Sequence, residues 1–124
     1  MAKVQKPTNV FISYARADAP RLDVILKTLV ASGLLSEEDR ILKEEDLPPK
    51  HGDLRREVKR QIQSASKVIV VWGTASASSQ WVNYEVGLAD ALGKPIIAVI
   101  QASEQVALPA SLQNVQIVKV ASDG

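Results

Sequence analysis

The sequence predicts an α/β domain in which a central parallel sheet of five strands carries helices on both faces. Strand-like and helix-like segments alternate along the chain, and this order is typical of parallel sheets joined by crossover helices. The strand-like segments are mostly continuous apolar runs, as expected of strands buried on both faces. Two of the helical patterns stop at a glycine, Gly33 and Gly93, which is the residue that most often ends a helix.

Each predicted strand has its own apolar signal. The clearest is residues 68–72, a β-branched run that ends in Trp72. The second strand rests on Ile41 and Leu42 alone. In chain order, the five strands are predicted at residues 10–14, 40–43, 68–72, 96–100 and 115–120.

Three helices are predicted from the spacing of apolar residues. The first follows Asp18, a candidate N-cap, and its apolar face is Leu22, Ile25, Leu26, Leu29 and Val30. The second follows Asp53, also a candidate N-cap; its apolar stripe is Leu54, Val58, Ile62 and Ala65, and its outer face is Arg55, Arg56, Lys59 and Arg60. The third spans residues 79–92 and turns Val82, Val86 and Ala89 to the sheet. We expect a small-residue loop at residues 73–78.

The length of the chain limits the number of domains, and its net charge limits the kinds of partner. At 124 residues and 46% hydrophobic residues, the chain buries one core, so residues 1–124 form a single domain with an N-terminal tail at residues 1–8. Its 15 basic and 14 acidic residues leave a net charge of +1, which favours neither nucleic acid nor an anionic membrane. No apolar run approaches the ~20 residues of a membrane span, and no signal-peptide pattern begins the chain. We expect a soluble, cytoplasmic domain.

Several kinds of site are excluded by the residue types present. Without cysteine there are no disulfides, no thiol catalysis and no thiolate zinc site. His51 is the only histidine and lies in a Pro-Pro-Lys-His-Gly segment that is typical of a loop, which disfavours a Ser-His-Asp arrangement. No metal site is expected. The glycine-rich signatures of P-loops and dinucleotide-binding folds are missing, and the third strand does not end in the aspartate of a phospho-receiver.

The third predicted helix carries an acidic residue on an otherwise apolar stripe. Trp81 and Glu85 are one helical turn apart and project together, with Leu88 and Leu92 continuing the stripe. Either Glu85 reaches solvent or a basic partner at the core edge, or it belongs to a binding site in which the indole offers a flat surface. The helix begins at the carboxyl edge of the sheet, where such folds bind ligands, and this favours the second explanation.

Four segments resemble Toll/interleukin receptor (TIR) domains, in the family's order and over almost the whole chain. Residues 11–18, FISYARAD, resemble the first box of the family, and residues 79–85, SQWVNYE, resemble its S-x-W-x-x-x-E segment. Residues 93–97, GKPII, are similar to the segment that follows, and residues 47–53, LPPKHGD, to the loop after the second strand. With a glutamate at position 85, the chain is most similar to the bacterial and plant-type branch.

The resemblance implies a flavodoxin-like three-layer sandwich and cleavage of the nicotinamide–ribose bond of NAD⁺, giving nicotinamide and linear or cyclic ADP-ribose. NAD⁺ is then the substrate, and no cofactor is expected. Glu85 takes the role of catalytic carboxylate. Trp81 and Tyr84 shape the pocket, with Tyr14, Ala15 and Arg16 on its nucleotide side. Arg16 is either a phosphate contact or a surface arginine near Asp18. Trp72 and Ser79 are further candidates for substrate binding, with a core position and a helix cap as their alternatives.

The resemblance also implies self-association. Asp46, Pro49 and Gly52 match the loop that mediates assembly and gates the site in the family. We expect TIR–TIR contacts, a fused or partner sensor and a role as an immune, anti-phage effector. The chain departs from the family in lacking a serine directly after the third strand and a final helix, which is expected of a compact variant or of a piece excised from a longer protein.

Two other functions remain open from the sequence. One is a non-catalytic module that binds other TIR domains. The other is a nucleoside 2-deoxyribosyltransferase-like enzyme, because residues 84–95, YEVGLADALGKP, also resemble the glutamate helix and GKP turn of that family.

Overall fold

A computed structural model of the chain describes residues 7–43, 54–104 and 106–120. It contains one sheet of five strands, and every neighbouring pair of strands is parallel. The strands are β1 (Asn9–Ser13), β2 (Arg40–Leu42), β3 (Lys67–Trp72), β4 (Ile96–Gln101) and β5 (Gln116–Val120). Their spatial order is β2-β1-β3-β4-β5, the order of the flavodoxin-like sheet. The predicted fold class is confirmed, including the short second strand.

Helices cover both faces of this sheet. They are α1 (Leu22–Ala31), α2 (Leu54–Ser64), α3 (Thr74–Ala77) and α4 (Gln80–Ala91), with 3-10 turns at Arg16–Arg21 and Ala110–Leu112. The buried residues of α1 form one core with alternate residues of the central strands, and those of α2 and α4 form a second core on the opposite face. In β1, for example, Val10 and Ile12 belong to the α1 core and Phe11 to the other. This alternation follows from the two-residue period of a strand.

Both predicted glycine stops adopt the left-handed conformation that ends a helix. Gly33 has φ +81° and Gly93 has φ +69°. After α1, Leu34 N–H bonds to the Leu29 carbonyl at 2.9 Å and Gly33 N–H to the Val30 carbonyl at 3.1 Å. The same pair of bonds follows α4. Both ends are therefore Schellman motifs, which satisfy the last carbonyls of each helix.

The predicted N-cap role of Asp18 is wrong. The chain enters α1 through the 3-10 turn Arg16–Arg21, so Asp18 lies inside that turn, 4% exposed, and forms an ion pair with Arg21. Arg21 occupies the cap position of α1 without a capping side chain. The other predicted cap, Asp53, lies outside the described residues.

Two further expectations need correction. Leu54 does not join the apolar stripe of α2: it is the helix's first residue and is 42% exposed, whereas Val58 and Ile62 are buried one and two turns further on. Residues 73–78 are not an irregular loop, because Thr74–Ala77 form the short helix α3. The Ser76 hydroxyl accepts a hydrogen bond from Gly73 N–H at 2.7 Å and donates one to the Gly73 carbonyl at 3.1 Å, and these bonds close the turn.

Within the described parts of the chain, no helix is long and apolar enough to cross a membrane. The predicted assembly-loop residues Asp46, Pro49 and Gly52 lie outside those parts, as do His51 and the last four residues.

Candidate active site

The topology of the sheet creates a crevice between β1 and β3. The two strands are neighbours, but β1 leads into α1 on one face and β3 leads through α3 into α4 on the other. The connections therefore diverge at the carboxyl ends of these strands. This is the switch point at which doubly wound sheets bind ligands.

A cleft of about 290 Å³ lies at this point. One wall comes from the end of β1 and the residues after it, and the other from the start of α4. The described residues that line the cleft are Ile12, Tyr14, Ala15, Arg16, Ala19, Ser79, Trp81 and Glu85.

Two other depressions are larger. One, of about 960 Å³, lies at the amino edge of the sheet, and the other, of about 500 Å³, lies beside α1 and β2. The ammonium groups in the largest bond backbone carbonyls: Lys67 bonds Leu34, and Lys94 bonds Gln63 and Ala65. Those ammonium groups are therefore engaged in hydrogen bonds within the fold. The smaller cleft combines a carboxylate, a guanidinium and an indole at the edge where this topology binds ligands. We therefore assign the candidate site to the smaller cleft.

The start of α4 aims two side chains at the cleft. Ser79 caps the helix, its hydroxyl accepting a hydrogen bond from Val82 N–H at 3.2 Å, a bond typical of N-caps. From this start Val82 and Val86 are buried on the sheet, both 1% exposed. Trp81 and Glu85 lie on the neighbouring stripe and line the cleft. The cap thus determines which residues of the helix meet the crevice.

Glu85 is buried, only 2% exposed. Its Oε1 accepts a hydrogen bond of 2.6 Å from the hydroxyl of Ser13, which is itself 1% exposed. A bond of this length is typical of a hydroxyl that donates to a carboxylate. The side chain therefore does not extend to solvent, and the explanation of Glu85 as a snorkelling residue is wrong.

Trp81 stacks on Tyr84. Their ring centroids are 5.2 Å apart and the planes differ by 24°. Trp81 lines the cleft, while Tyr84 is not among the described residues that do so. Trp81 Nε1 is buried and has no hydrogen-bond acceptor among the residues that the structure describes.

The structure brings together most of the predicted site residues. Tyr14, Ala15 and Arg16 follow β1 and line the cleft opposite α4. Ala15 is 8% exposed and Arg16 is exposed. The alternative from the sequence was a surface arginine near Asp18, and Asp18 forms its ion pair with Arg21.

Trp72 is not brought to the cleft. It lies in the core on the α2 and α4 side, 3% exposed, because strand alternation turns it to the same face as Val70 and Val68. Its indole N–H donates a hydrogen bond to the Ala107 carbonyl at 3.1 Å. The structure supports a core position for Trp72 and corrects its assignment to substrate binding.

Sequence reasoning missed three residues of the site. Ile12 and Ala19 line the cleft but carry no chemical signal. Ser13 carries one: it is a hydroxyl at the end of an apolar strand, where a polar group needs a partner. That partner, Glu85, is 72 positions away. Among the described residues there is no cluster of three or more histidine, cysteine or acidic side chains able to hold a metal ion.

A sequence profile of the TIR domain family matches residues 10–123. The chain belongs to the TIR domain family. The predicted family is therefore confirmed. None of the curated proteins matches the sequence.

Solved structures similar to this TIR domain share its fold at low sequence identity. The TIR domain of a Toll-related receptor from Hydra magnipapillata has a TM-score of 0.67 at 14% identity, over 89% of this chain and 82% of that one. A 2-deoxyribosyltransferase from Bacillus psychrosaccharolyticus scores 0.59 at 12% identity, over 81% and 77%. A CMP N-glycosidase from Clostridium botulinum scores 0.57 at 18% identity, over 93% and 89%.

Two segments that carried the resemblance meet at the cleft of this TIR domain. The FISYARAD box ends β1 and supplies one wall, and the S-x-W-x-x-x-E segment is the cap and first two turns of α4. The Ser13–Glu85 hydrogen bond joins them.

Proposed function

We propose that this TIR domain is an NAD⁺ glycohydrolase that cleaves the bond between nicotinamide and ribose. One observation carries the proposal: a buried carboxylate, Glu85, lines the switch-point cleft and is hydrogen-bonded to the neighbouring strand. Trp81 and Arg16 line the same cleft, and they supply a flat surface and a cation for a nucleotide.

The proposed reaction breaks the bond from ribose C1′ to the nicotinamide nitrogen. The electron pair leaves with nicotinamide, which departs as a neutral base, and positive charge develops on the ribose. A fixed, buried carboxylate stabilises that oxocarbenium-like state. Water then adds at C1′ and loses a proton, giving ADP-ribose; attack by a nitrogen of the adenine gives a cyclic product instead.

Each wall of the cleft has a role in this proposal. Glu85 stabilises the developing charge and binds the ribose hydroxyls. The Trp81 ring offers a face on which the nicotinamide stacks. The Arg16 guanidinium pairs with the pyrophosphate, because its planar fork matches two phosphate oxygens.

Two of the similar solved structures lend support. One is named a CMP N-glycosidase and the other a 2-deoxyribosyltransferase, so this fold carries chemistry at the bond between a sugar and a base. The likeness is in fold alone, and it is the Glu85 site that connects this chain to such chemistry.

The test is nicotinamide release from NAD⁺, measured by chromatography and mass spectrometry for wild type and Glu85→Gln. We expect a loss of at least ~10²- to 10³-fold in kcat, the range for removal of one key electrostatic contact. Gln keeps an acceptor for Ser13, so thermal unfolding should change little. Glu37→Gln, at an exposed position, is the matched control. Full activity of Glu85→Gln, or no release by wild type at any concentration, would contradict the proposal.

We also propose that self-association activates the domain, as the family resemblance implies, with a fused or partner sensor as the trigger in immunity. NAD⁺ turnover per molecule should rise with protein concentration and with a crowding agent. Light scattering on the same samples should show assembly over the same range, and turnover that is independent of assembly would count against this part of the proposal.

A second candidate function is transfer of deoxyribose between bases. It is favoured by the likeness to the 2-deoxyribosyltransferase and would use Glu85 as a nucleophile at the sugar. Base exchange between two deoxynucleosides, without nicotinamide release from NAD⁺, would select it. If neither reaction occurs and Glu85→Gln still associates with other TIR domains, the domain is a non-catalytic interaction module.

A further inference from the structure

We propose that Ser13 is a positioning residue, whose hydroxyl holds the Glu85 carboxylate in the orientation that the reaction needs. The inference rests on the proposed function, because it assigns a role to a second residue of the same site. It stands on the 2.6 Å bond from Ser13 Oγ to Glu85 Oε1.

Ser13 lies on the central sheet, at the end of β1 that meets the cleft. It is the last residue of β1, a strand with β2 on one side and β3 on the other. Its backbone is in register with Val70 of β3. The pairing with β2 ends at Phe11, and the pairing with β3 continues to Ser13. Because this pairing holds the end of β1 in the sheet, the Ser13 hydroxyl is a reference point for a side chain on the helix opposite.

Glu85 needs such a reference point. A glutamate side chain has three rotatable bonds, and the first two turns of a helix do not by themselves determine where its carboxylate lies. A misplacement of about 1 Å in a reacting group costs on the order of 10²-fold in rate. The bond from Ser13 removes this freedom at one of the two carboxylate oxygens.

Burial makes the bond durable. Both residues are at most 2% exposed, so water does not compete for the hydroxyl, and a hydrogen bond is electrostatically stronger in such surroundings than in solvent. The donor also favours the ionised form of the carboxylate, and this is the form that stabilises positive charge on a ribose.

A purely structural bond would also join a strand to a helix, and the two roles differ in what they change. A structural bond affects stability alone. A positioning bond affects kcat while the affinity for NAD⁺, which depends on contacts along the whole substrate, changes little.

The kinetic test compares Ser13→Ala, Ser13→Thr and the wild type in NAD⁺ cleavage, with Ser64→Ala as an exposed serine control. We expect Ser13→Ala to lower kcat by about 10- to 100-fold with KM within about twofold. Ser13→Thr, which keeps the hydroxyl, should recover most of the loss. If Ser13→Ala does not fold, Ser13→Cys takes its place and should lower kcat in the same direction, because a thiol is a weaker donor. Unchanged kcat, or a loss that Thr does not recover, overturns the proposal.

A second readout is independent of turnover. The side-chain carboxyl carbon of Glu85 is titrated by NMR in wild type and Ser13→Ala, and Glu85→Gln identifies its signal. Loss of a hydroxyl donor should move the titration midpoint of Glu85 upward, while Tyr14 and Arg16, which line the same cleft, are the same in both proteins. An unmoved midpoint overturns the proposal. If wild type releases no nicotinamide, the proposed NAD⁺ reaction fails, and this titration still decides whether Ser13 holds the carboxylate.

Discussion

The ring of Tyr84 supports the ring of Trp81 from outside the cleft. The two rings stack with centroids 5.2 Å apart, and Trp81 lines the cleft whereas Tyr84 is not among the described lining residues. We therefore propose that Tyr84 acts on a substrate through Trp81, by fixing the orientation of the indole.

Removing the supporting ring should weaken substrate binding. Stacked aromatic pairs contribute about 0.5–1.5 kcal/mol beyond their buried area, so Tyr84→Ala should raise KM for NAD⁺ by about 2- to 13-fold with a smaller change in kcat. Tyr84→Phe keeps the ring and should behave as wild type. Steady-state kinetics of the two variants distinguish the outcomes, and an equal effect of Phe and Ala would show that the phenol hydroxyl matters instead of the stack.

Arg16 should act on the phosphates of the substrate and not on the ribose. Hydrogen bonds to charged groups contribute about 1.5–3 kcal/mol, so Arg16→Ala should raise KM for NAD⁺ by about 10- to 100-fold. Nicotinamide riboside has no phosphate, and its cleavage should be unaffected. Arg40→Ala, at an exposed position on β2, is the control, and equal losses on both substrates would contradict the assignment.

The same substitution at two glycines near the end of α4 should have opposite effects on stability. Gly87 lies within the helix, and a Cβ there meets no atom within 4 Å. Gly87→Ala should therefore raise the free energy of unfolding by about 0.5–1 kcal/mol. Gly93 has φ +69°, a left-handed conformation that costs an L-residue on the order of 1 kcal/mol, so Gly93→Ala should lower the free energy of unfolding.

Urea unfolding monitored by circular dichroism measures both glycine variants. Each variant controls for the general effect of adding a methyl group, because the two glycines differ in backbone conformation: Gly93 is left-handed and Gly87 is helical. A decrease in stability for Gly87→Ala would mean that the position is constrained by a contact outside the described residues.

Asp39 lies at the opposite edge of the sheet from the cleft, and we expect it to make the free energy of unfolding depend on pH. Burial opposes its ionisation, but hydrogen bonds from Ser36 N–H and from Thr8, with the charge of Lys67, outweigh burial and lower the pKa of Asp39 below 3.8. Because the pKa is lower in the folded state, the stabilisation is fully present above the unfolded pKa and is lost as the pH falls through the folded value.

Asp39→Asn should therefore reduce the free energy of unfolding at pH 7, by on the order of 1 kcal/mol after allowance for solvent screening. The difference from wild type should shrink steadily below about pH 4. Unfolding in urea at several pH values between 7 and 2.5 measures it, with the exposed neighbour Glu38→Gln as control. A difference that is constant over this range would mean that the ionised form of Asp39 is not the stabilising species.

Much of the fold was predictable because the spacing of apolar residues along the chain indicates which side chains are buried. The apolar runs located the strands, the helical spacing located α1, α2 and α4, and Gly33 and Gly93 marked two helix ends. The errors arose where local patterns are ambiguous. Asp18 looked like a cap but joined an ion pair within a 3-10 turn, and small residues after β3 formed a helix through the hydroxyl of Ser76.

The candidate site was predictable in part. The spacing of Trp81 and Glu85 indicated that they share a face, and the carboxyl-edge rule indicated which end of the sheet they meet. Trp72 shows the limit of such reasoning. The sequence left it between the cleft and the core, and the structure places it in the core, where the Ala107 carbonyl accepts its N–H.

By itself, the sequence determined the order and type of the main elements and the residues that face the carboxyl edge. Both depend on periodicity, and periodicity is a property of neighbours along the chain. Only the tertiary structure decided that Glu85 is buried and bonded to Ser13 and that Tyr84 supports Trp81 from outside the cleft. Such contacts depend on how a helix packs against a particular strand and on the rotamers that this packing allows, and no pattern within a single element records them.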